Sequence, residues 1–244
     1  MTSSFTTREI MIAAAAREIR DGEVVFVGMR LPLVAFAVAK KLQAPTAIGV
    51  FENGVLRDRS AAQPIVTMGD PPNLSGALAC TGLMEVMSLL QRGRIDLGFI
   101  GGAEIDRFGN LNTTATQGVR LPGSGGAADI ASFARRTVII MMHEKRRFQD
   151  RVSYCTSPGY GDGQEWRRTV GLPGGGPSKV VTSLGIFDFT AFGEMQLASI
   201  HPGGTVAEMR ANTGWDLRVA ATVTETPLPT SEELALIRQF DTLG

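Results

Sequence analysis

The chain has 244 residues and is 43% apolar, enough to build the core of one large α/β domain, and we expect residues 1–244 to form a single domain. Its 24 Lys and Arg balance its 24 Asp and Glu, so the net charge is zero and neither nucleic acid nor an anionic membrane is expected as a partner. Cys80 and Cys155 form no C-x-x-C pair or metal spacing, and the apolar patch Met11–Ala16 is short and flanked by charge. We therefore expect a soluble, cytoplasmic chain with reduced thiols, no metal, no signal peptide and no membrane span.

In chain order, Thr6-Thr7-Arg8-Glu9 reads as a capping box opening an Ala-rich helix that ends near Gly22. Val24 to Val27 is a short strand closed by Gly28, Leu33 to Leu42 is helical, and Ile48 to Phe51 is the next strand. Val55 to Asn73 reads as irregular, with Pro64, Pro71 and Pro72. Leu83 to Arg92 is a helix stopped at Gly93, and Asp96 to Ala103 is an apolar strand. Thr137 to Met142 is a strand, and Val180 to Phe189 pairs with Met195 to His201. Thr205 to Asn212 is a short helix, and Thr230 to Glu233 caps a last helix running toward Phe240. Alternating strands and helices predict a layered α/β/α fold with a mixed, largely parallel sheet.

Two local features point to chemistry. Glu52 ends the strand Ile48–Phe51 and is followed at once by Asn53-Gly54. Ligands of open α/β sheets bind beyond the carboxyl ends of strands, so Glu52 is a candidate nucleophile. Asn-Gly between apolar runs is equally a hairpin signal, with Glu52 merely solvated. The second feature is Leu121-Pro122-Gly123-Ser124-Gly125-Gly126-Ala127-Ala128-Asp129. Glycines let backbone N–H groups converge on an anion or acyl oxygen, and a helix opening near Asp129 would reinforce the site; a plain surface loop is the alternative. The same run fits the dinucleotide pattern G-x-G-x-x-A with Glu144 about twenty residues on, but Thr113 to Pro122 is polar where that fingerprint needs a buried strand.

Other segments are less specific. Gly101-Gly102 follows a strand and could line a site wall, while Asn110 and Asn112 suit loop backbone satisfaction. His143-Glu144-Lys145-Arg146-Arg147 is a basic stretch that reads as a solvated face or a contact for phosphate or a partner. His201, before Pro202-Gly203, reads as structural, and neither histidine has a nucleophile or metal ligand at a telling spacing.

Together these segments resemble the glutaconate CoA-transferase B-subunit type of the class I CoA-transferase family. The resemblance runs over nearly the whole chain. It is carried by Leu31-Pro32-Leu33, the Glu52 strand end, Gly101-Gly102-Ala103 with Ile105-Asp106 and Gly109-Asn110, and Gly123-Ser124-Gly125-Gly126-Ala127. It continues through Met141 to Phe148, Thr156-Ser157-Pro158-Gly159, Gly171-Leu172-Pro173-Gly174 and Thr213-Gly214. It implies a ribose-isomerase/CoA-transferase fold, a homologous A subunit in a hetero-oligomer, and an active site completed by that subunit. Glu52-Asn53-Gly54 matches the family's catalytic Glu-x-Gly, which makes Glu52 the nucleophile. The resemblance also assigns Asn53, Gly54, Gly101, Gly102, Gly123, Gly125, Gly126 and Ala127 to substrate, CoA or oxyanion contacts. Many members carry Ser where Phe51 stands, so the acyl pocket is expected to be reshaped.

The implied activity moves CoA between carboxylic, chiefly dicarboxylic, acids through a glutamyl-CoA thioester, with acyl-CoA as substrate and no permanently bound cofactor. Relatives of this fold include hydrolases of steroid catabolism and decarboxylases in which the glutamate is replaced. A CoA-thioester hydrolase or decarboxylase is therefore the alternative activity, and an assembly or binding subunit with chemistry on the partner chain is a weaker one.

Overall fold

The computed structural model describes residues 4–116, 118–163 and 165–242. In chain order the elements are α1 (Thr7–Arg17), β1 (Val24–Phe26), α2 (Leu31–Lys41), β2 (Ile48–Val50), β3 (Val55–Arg57), α3 (Pro71–Leu74), β4 (Ala79–Cys80) and α4 (Leu83–Gln91). There follow β5 (Leu97–Ile100), β6 (Glu104–Ile105), β7 (Leu111–Asn112), β8 (Ala115–Thr116), β9 (Val119–Arg120), α5 (Ala127–Phe133), β10 (Arg136–Met141) and α6 (Trp166–Thr169). The chain closes with β11 (Pro177–Thr182), β12 (Gly185–Phe189), β13 (Met195–Ile200), α7 (Val206–Ala211), β14 (Arg218–Glu225) and α8 (Ser231–Phe240). Two compact units result, Met1–Phe99 with Pro227–Gly244 and Ile100–Thr226.

In the first unit β1 is paired in parallel with β2 and β5, and β2 turns back through antiparallel β3 to β4. The return strand β3 lies inside the stretch that the sequence presents as irregular. Only three residues long, it is specified by its hairpin rather than by periodicity. Helix α1 opens on the expected capping box, with Glu9 N–H donating to Thr6 Oγ1 and Thr6 N–H to Glu9 Oε2. It stops at Arg17, five residues before Gly22, because the backbone turns there to bury Ile19. Helix α8 has its own box on Thr230 and Glu233 and packs on α1 and α2. Ion pairs Arg17–Glu233 and Arg238–Glu9 fasten α8 to α1 at 2.7 and 2.6 Å.

In the second unit β10 is parallel to β11, β11 and β12 form a hairpin, β12 is antiparallel to β13, and β13 is parallel to β14. The run Val180–Phe189 is thus two strands rather than one. Thr182 makes the break: its hydroxyl accepts from Leu184 and Gly185 N–H and donates to Gly185 O. Strand β14 is an edge strand, exposed along much of its length, and its Ala/Thr-rich sequence gives no sharp alternation to announce it. Small hairpins β6–β7 and β8–β9 project from this unit. The architecture is α/β with a mixed sheet. None of the described helices is long and apolar enough to cross a membrane.

Candidate active site

Glu52 stands just beyond a strand end and inside a hairpin turn at once. Strand β2 ends at Val50, and residues 51–54 form the tight turn into β3: Gly54 N–H donates to Phe51 O and Phe51 N–H to Val55 O, each at 2.9 Å. Glu52 and Asn53 are the two central residues of that turn. Glu52 is half-buried, and its carboxylate has no hydrogen bond or ion pair among the described residues. Phe51, before it, is buried in the core and meets Phe36 edge-on, ring centroids 6.3 Å apart. Its bulk therefore fills the core of the first unit.

The flanking residues fix the turn. Gly54 has φ +98°, and a Cβ there would lie 2.2 Å from Thr81 O. Thr81 N–H and Oγ1 both donate to Gly54 O, at 2.8 and 2.9 Å. Asn53 donates its amide to Met68 O at 2.8 Å. Strand β1 ends beside β2, with Val27 N–H on Val50 O at 2.9 Å. The chain then passes Gly28, where a Cβ would sit 2.9 Å from Phe99 O, and reaches exposed Arg30 at φ 65°, ψ −115°. Arg30 is the single non-glycine with positive φ among the described residues, a strained backbone at a strand end next to Glu52's.

The glycine elements belong to the second unit and meet on one short segment. Ala103 N–H, after Gly101-Gly102, donates to Asn112 O, and Gly123 N–H donates to Thr113 O. A Cβ at Gly101 would come within 3.0 Å of Ile140 O, and one at Gly102 within 3.0 Å of Glu104 O. In the run 123–127, Gly123 and Ala127 already donate their N–H groups, to Thr113 O and Ser124 O. Gly125 (φ 49°) and Gly126 have N–H groups with no partner among the described residues. Helix α5 opens directly on Gly126, two residues before the sequence suggests. Upstream stands the hairpin β8–β9 with Val119 60% exposed, not a buried strand, which removes the dinucleotide fingerprint.

Several buried polar groups escape sequence reasoning. Arg57 is 2% exposed and donates only to carbonyls, those of Arg59, Pro72, Asn73 and Ser75. Burial lowers its pKa. Arg167 is buried on Ala131 O, at the end of α5, and on Gly159 O and Gly174 O. Glu104 accepts from Asn112 Nδ2, Ser153 N–H, Ser153 Oγ and Thr116 Oγ1. Burial pushes its carboxyl up, and those hydrogen bonds together bring it below the ordinary value. A charged residue in a short segment reads as solvated; only three-dimensional closure reveals such carbonyl or hydroxyl cages.

The asparagines act as expected. Asn110 donates to Asp106 and Gly161 O and accepts from Gly159 and Gly161 N–H. Asn112 accepts from Thr114 N–H and donates to Glu104. The stretch 143–147 is solvated only in part. His143 is buried, stacked on Phe148 at 4.0 Å and bonded to Thr213 Oγ1, and burial lowers its pKa to about 4. His201 is structural, held between Thr226 Oγ1 and Thr182 O. Among the described residues no cluster of three or more His, Cys, Asp or Glu could hold a metal ion.

The family model "Coenzyme A transferase" matches residues 8–212. The chain is 39% identical to the B subunit of 3-oxoadipate CoA-transferase of Pseudomonas knackmussii, over 98% of this chain and 94% of that protein. It is 36% identical to the B subunit of glutaconate CoA-transferase of Acidaminococcus fermentans, over 97% and 92%. The crystal structure of glutaconate coenzyme A-transferase from that organism superposes with a TM-score of 0.90 at 35% identity, covering 98% of this chain and 95% of that one. The decarboxylase AibA/AibB superposes with a TM-score of 0.84 at 26% identity, covering 99% and 97%.

Proposed function

The chain belongs to the coenzyme A transferase family, and we propose that it is the B subunit of a transferase that moves CoA between dicarboxylic acids through a covalent thioester on Glu52. The observation that carries this reading is the half-buried, unpartnered carboxylate of Glu52, held in a turn that Gly54 and Asn53 lock. A carboxylate bound by protein donors would be a poor nucleophile; this one is bound by none among the described residues and is free to attack.

A Glu52 oxygen attacks the thioester carbonyl carbon of the donor. The tetrahedral oxyanion collapses, the C–S bond breaks, and CoA leaves as thiolate from an acyl-glutamyl anhydride. The thiolate attacks the glutamyl carbonyl, the donor acid leaves as carboxylate, and glutamyl-CoA thioester remains. The acceptor carboxylate reverses both steps. The thioester bond is exchanged throughout, so no ATP is consumed. Gly125 and Gly126 N–H groups have no partner among the described residues and are open to an anion. Gly123 and Ala127 shape the loop, since their amides are engaged. Gly101 and Gly102 allow the close backbone approaches to Ile140 O and Glu104 O.

A homologous A subunit completes the enzyme in this reading, supported by the relatives' names as B subunits. The same names, 3-oxoadipate and glutaconate, support dicarboxylic substrates. A cytoplasmic location accords with free Cys80 and Cys155. The likeness to a decarboxylase favours a second reading, chemistry on an acyl-CoA without transfer.

The test mixes the assembled enzyme with glutaconyl-CoA and no acceptor, then treats it with borohydride. Reduction of a thioester to an alcohol on the peptide containing Glu52 is expected. An adduct on another residue, or transfer at full rate by Glu52→Ala, would overturn the assignment. Loss of CO2 or hydrolysis without any adduct would establish the second reading.

A further inference from the structure

We infer that Arg57 is a positioning residue for Glu52, acting through Asn73, Met68 and Asn53; this rests on the reading of Glu52 as nucleophile. Arg57 sits on β3, three residues beyond the Glu52 turn, and its guanidinium is enclosed by the segment 58–75. Nη1 donates to Pro72 O, Asn73 O and Ser75 O at 3.2, 2.5 and 2.9 Å, and Nε to Arg59 O at 3.3 Å. One fully buried cation thus holds both ends of a segment that is mostly irregular.

The middle of that segment reaches back to the turn. Asn73, whose carbonyl Arg57 grips, is itself fully buried and donates its amide to Met68 O at 2.7 Å. Asn53 donates to the same Met68 oxygen at 2.8 Å. Asp70 holds the approach to Met68 by accepting from Val66 and Thr67 N–H, both at 2.8 Å. The path from guanidinium to turn is therefore continuous: Arg57, Asn73, Met68 O, Asn53, and Glu52 next in the chain.

Alternative roles for Arg57 fit less well. A substrate-binding arginine needs an accessible guanidinium, and this one is 2% exposed with Nε and Nη1 committed to carbonyls. A stabilising ion pair needs a carboxylate, and its hydrogen-bond partners are carbonyls. What a planar fork does well here is collect several carbonyls in fixed directions. Lys retains the charge but not the fork.

The test uses the complex with the A subunit and CoA exchange from glutaconyl-CoA. Arg57→Met and Asn53→Ala are each expected to lower kcat about tenfold or more, with KM changed less than about threefold, since misplacing a nucleophile affects the chemical step. The double variant should be no slower than the slower single, because both act on one path. Arg57→Lys should recover part of kcat. Should Arg57→Met not assemble, Arg57→Lys and Asn53→Ala, alone and combined, decide in the same way. A shift in melting temperature with wild-type kcat, or independent multiplying losses in the double variant, would overturn the inference. Glu52→Ala measured alongside separates the two levels. If it is inactive while Arg57→Met and Asn53→Ala turn over normally, only the positioning role fails; if it keeps full activity, the nucleophile itself is wrong.

Discussion

Gly54 lies directly against the carbonyl of Thr81: a Cβ on Gly54 would stand 2.2 Å from that oxygen and 2.5 Å from its carbon. The glycine also has φ +98°, so two independent constraints exclude a side chain. The neighbour is backbone, held by its own bonds to Gly54 O, and cannot swing aside. Gly54→Ala is expected to destabilise the protein by about 2 kcal/mol or more, strain and overlap adding. Because the turn must open to relieve the overlap, activity should fall further than stability. Thermal unfolding and CoA exchange on one preparation measure both.

Arg30 offers the opposite experiment. Its φ of 65° and ψ of −115° are strained for any residue with a Cβ, and its side chain has no partner among the described residues that the strain would secure. Strain of this kind costs about 1–3 kcal/mol, and glycine's greater freedom in the unfolded chain offsets about 1 of it. Arg30→Gly is expected to raise stability by about 1 kcal/mol in urea denaturation. A loss of stability would mean that the Arg30 side chain makes a contact outweighing its backbone.

The elements that were legible in the sequence are those with local causes. Thr6 and Glu9, and Thr230 and Glu233, each carry both halves of a capping box within four residues, and both helices start there. Asn53-Gly54 announces its hairpin for the same reason: positive φ at one residue is a local demand. Arg57 was not legible. On a three-residue strand its charge reads as solvent-facing, and its carbonyl cage comes from residues up to 18 positions away. Glu104 hides likewise, since its bond to Ser153 spans 49 residues. The early end of α1 and the edge strand β14 follow from how the rest of the chain packs, which no window of sequence contains.

His143 gives the fold a dependence on pH. The Thr213 hydroxyl donates its proton to Met209 O at 2.7 Å, so His143 Nε2 must donate to Thr213 and be the protonated ring nitrogen. Nδ1 is left buried without a partner among the described residues, and the imidazole is neutral, its pKa lowered from 6.5 to about 4 by burial. The unfolded chain therefore binds a proton more readily than the folded one. Stability from this group is complete above the unfolded value and declines as pH falls from 6.5 toward 4. The loss by pH 5 is on the order of 2 kcal/mol. His201, lowered chiefly by burial, acts in the same direction. His143→Phe preserves the stack on Phe148 and removes the titration. It should flatten the fall in unfolding free energy between pH 7.5 and 5, measured in urea; an unchanged slope would assign the acid sensitivity elsewhere.

Glu52→Asp isolates position from charge. The turn is closed by main-chain bonds between Phe51, Gly54 and Val55, and by Asn53 on Met68, none of which involves the Glu52 side chain. Removing one methylene therefore leaves the turn intact and draws the carboxylate back by about 1 Å, a displacement that can lower turnover about a hundredfold. Stability should change by less than about 0.5 kcal/mol, since the carboxylate is half-buried and bonded to nothing among the described residues. We expect Glu52→Asp to melt with the wild-type enzyme and to exchange CoA at about 1% of its rate. KM should stay near the wild-type value, because a displaced attacking oxygen acts on the chemical step. A Glu52→Asp enzyme as fast as wild type would show that the carboxylate serves only as a nearby charge. One that loses stability and activity together would show that Glu52 holds the turn.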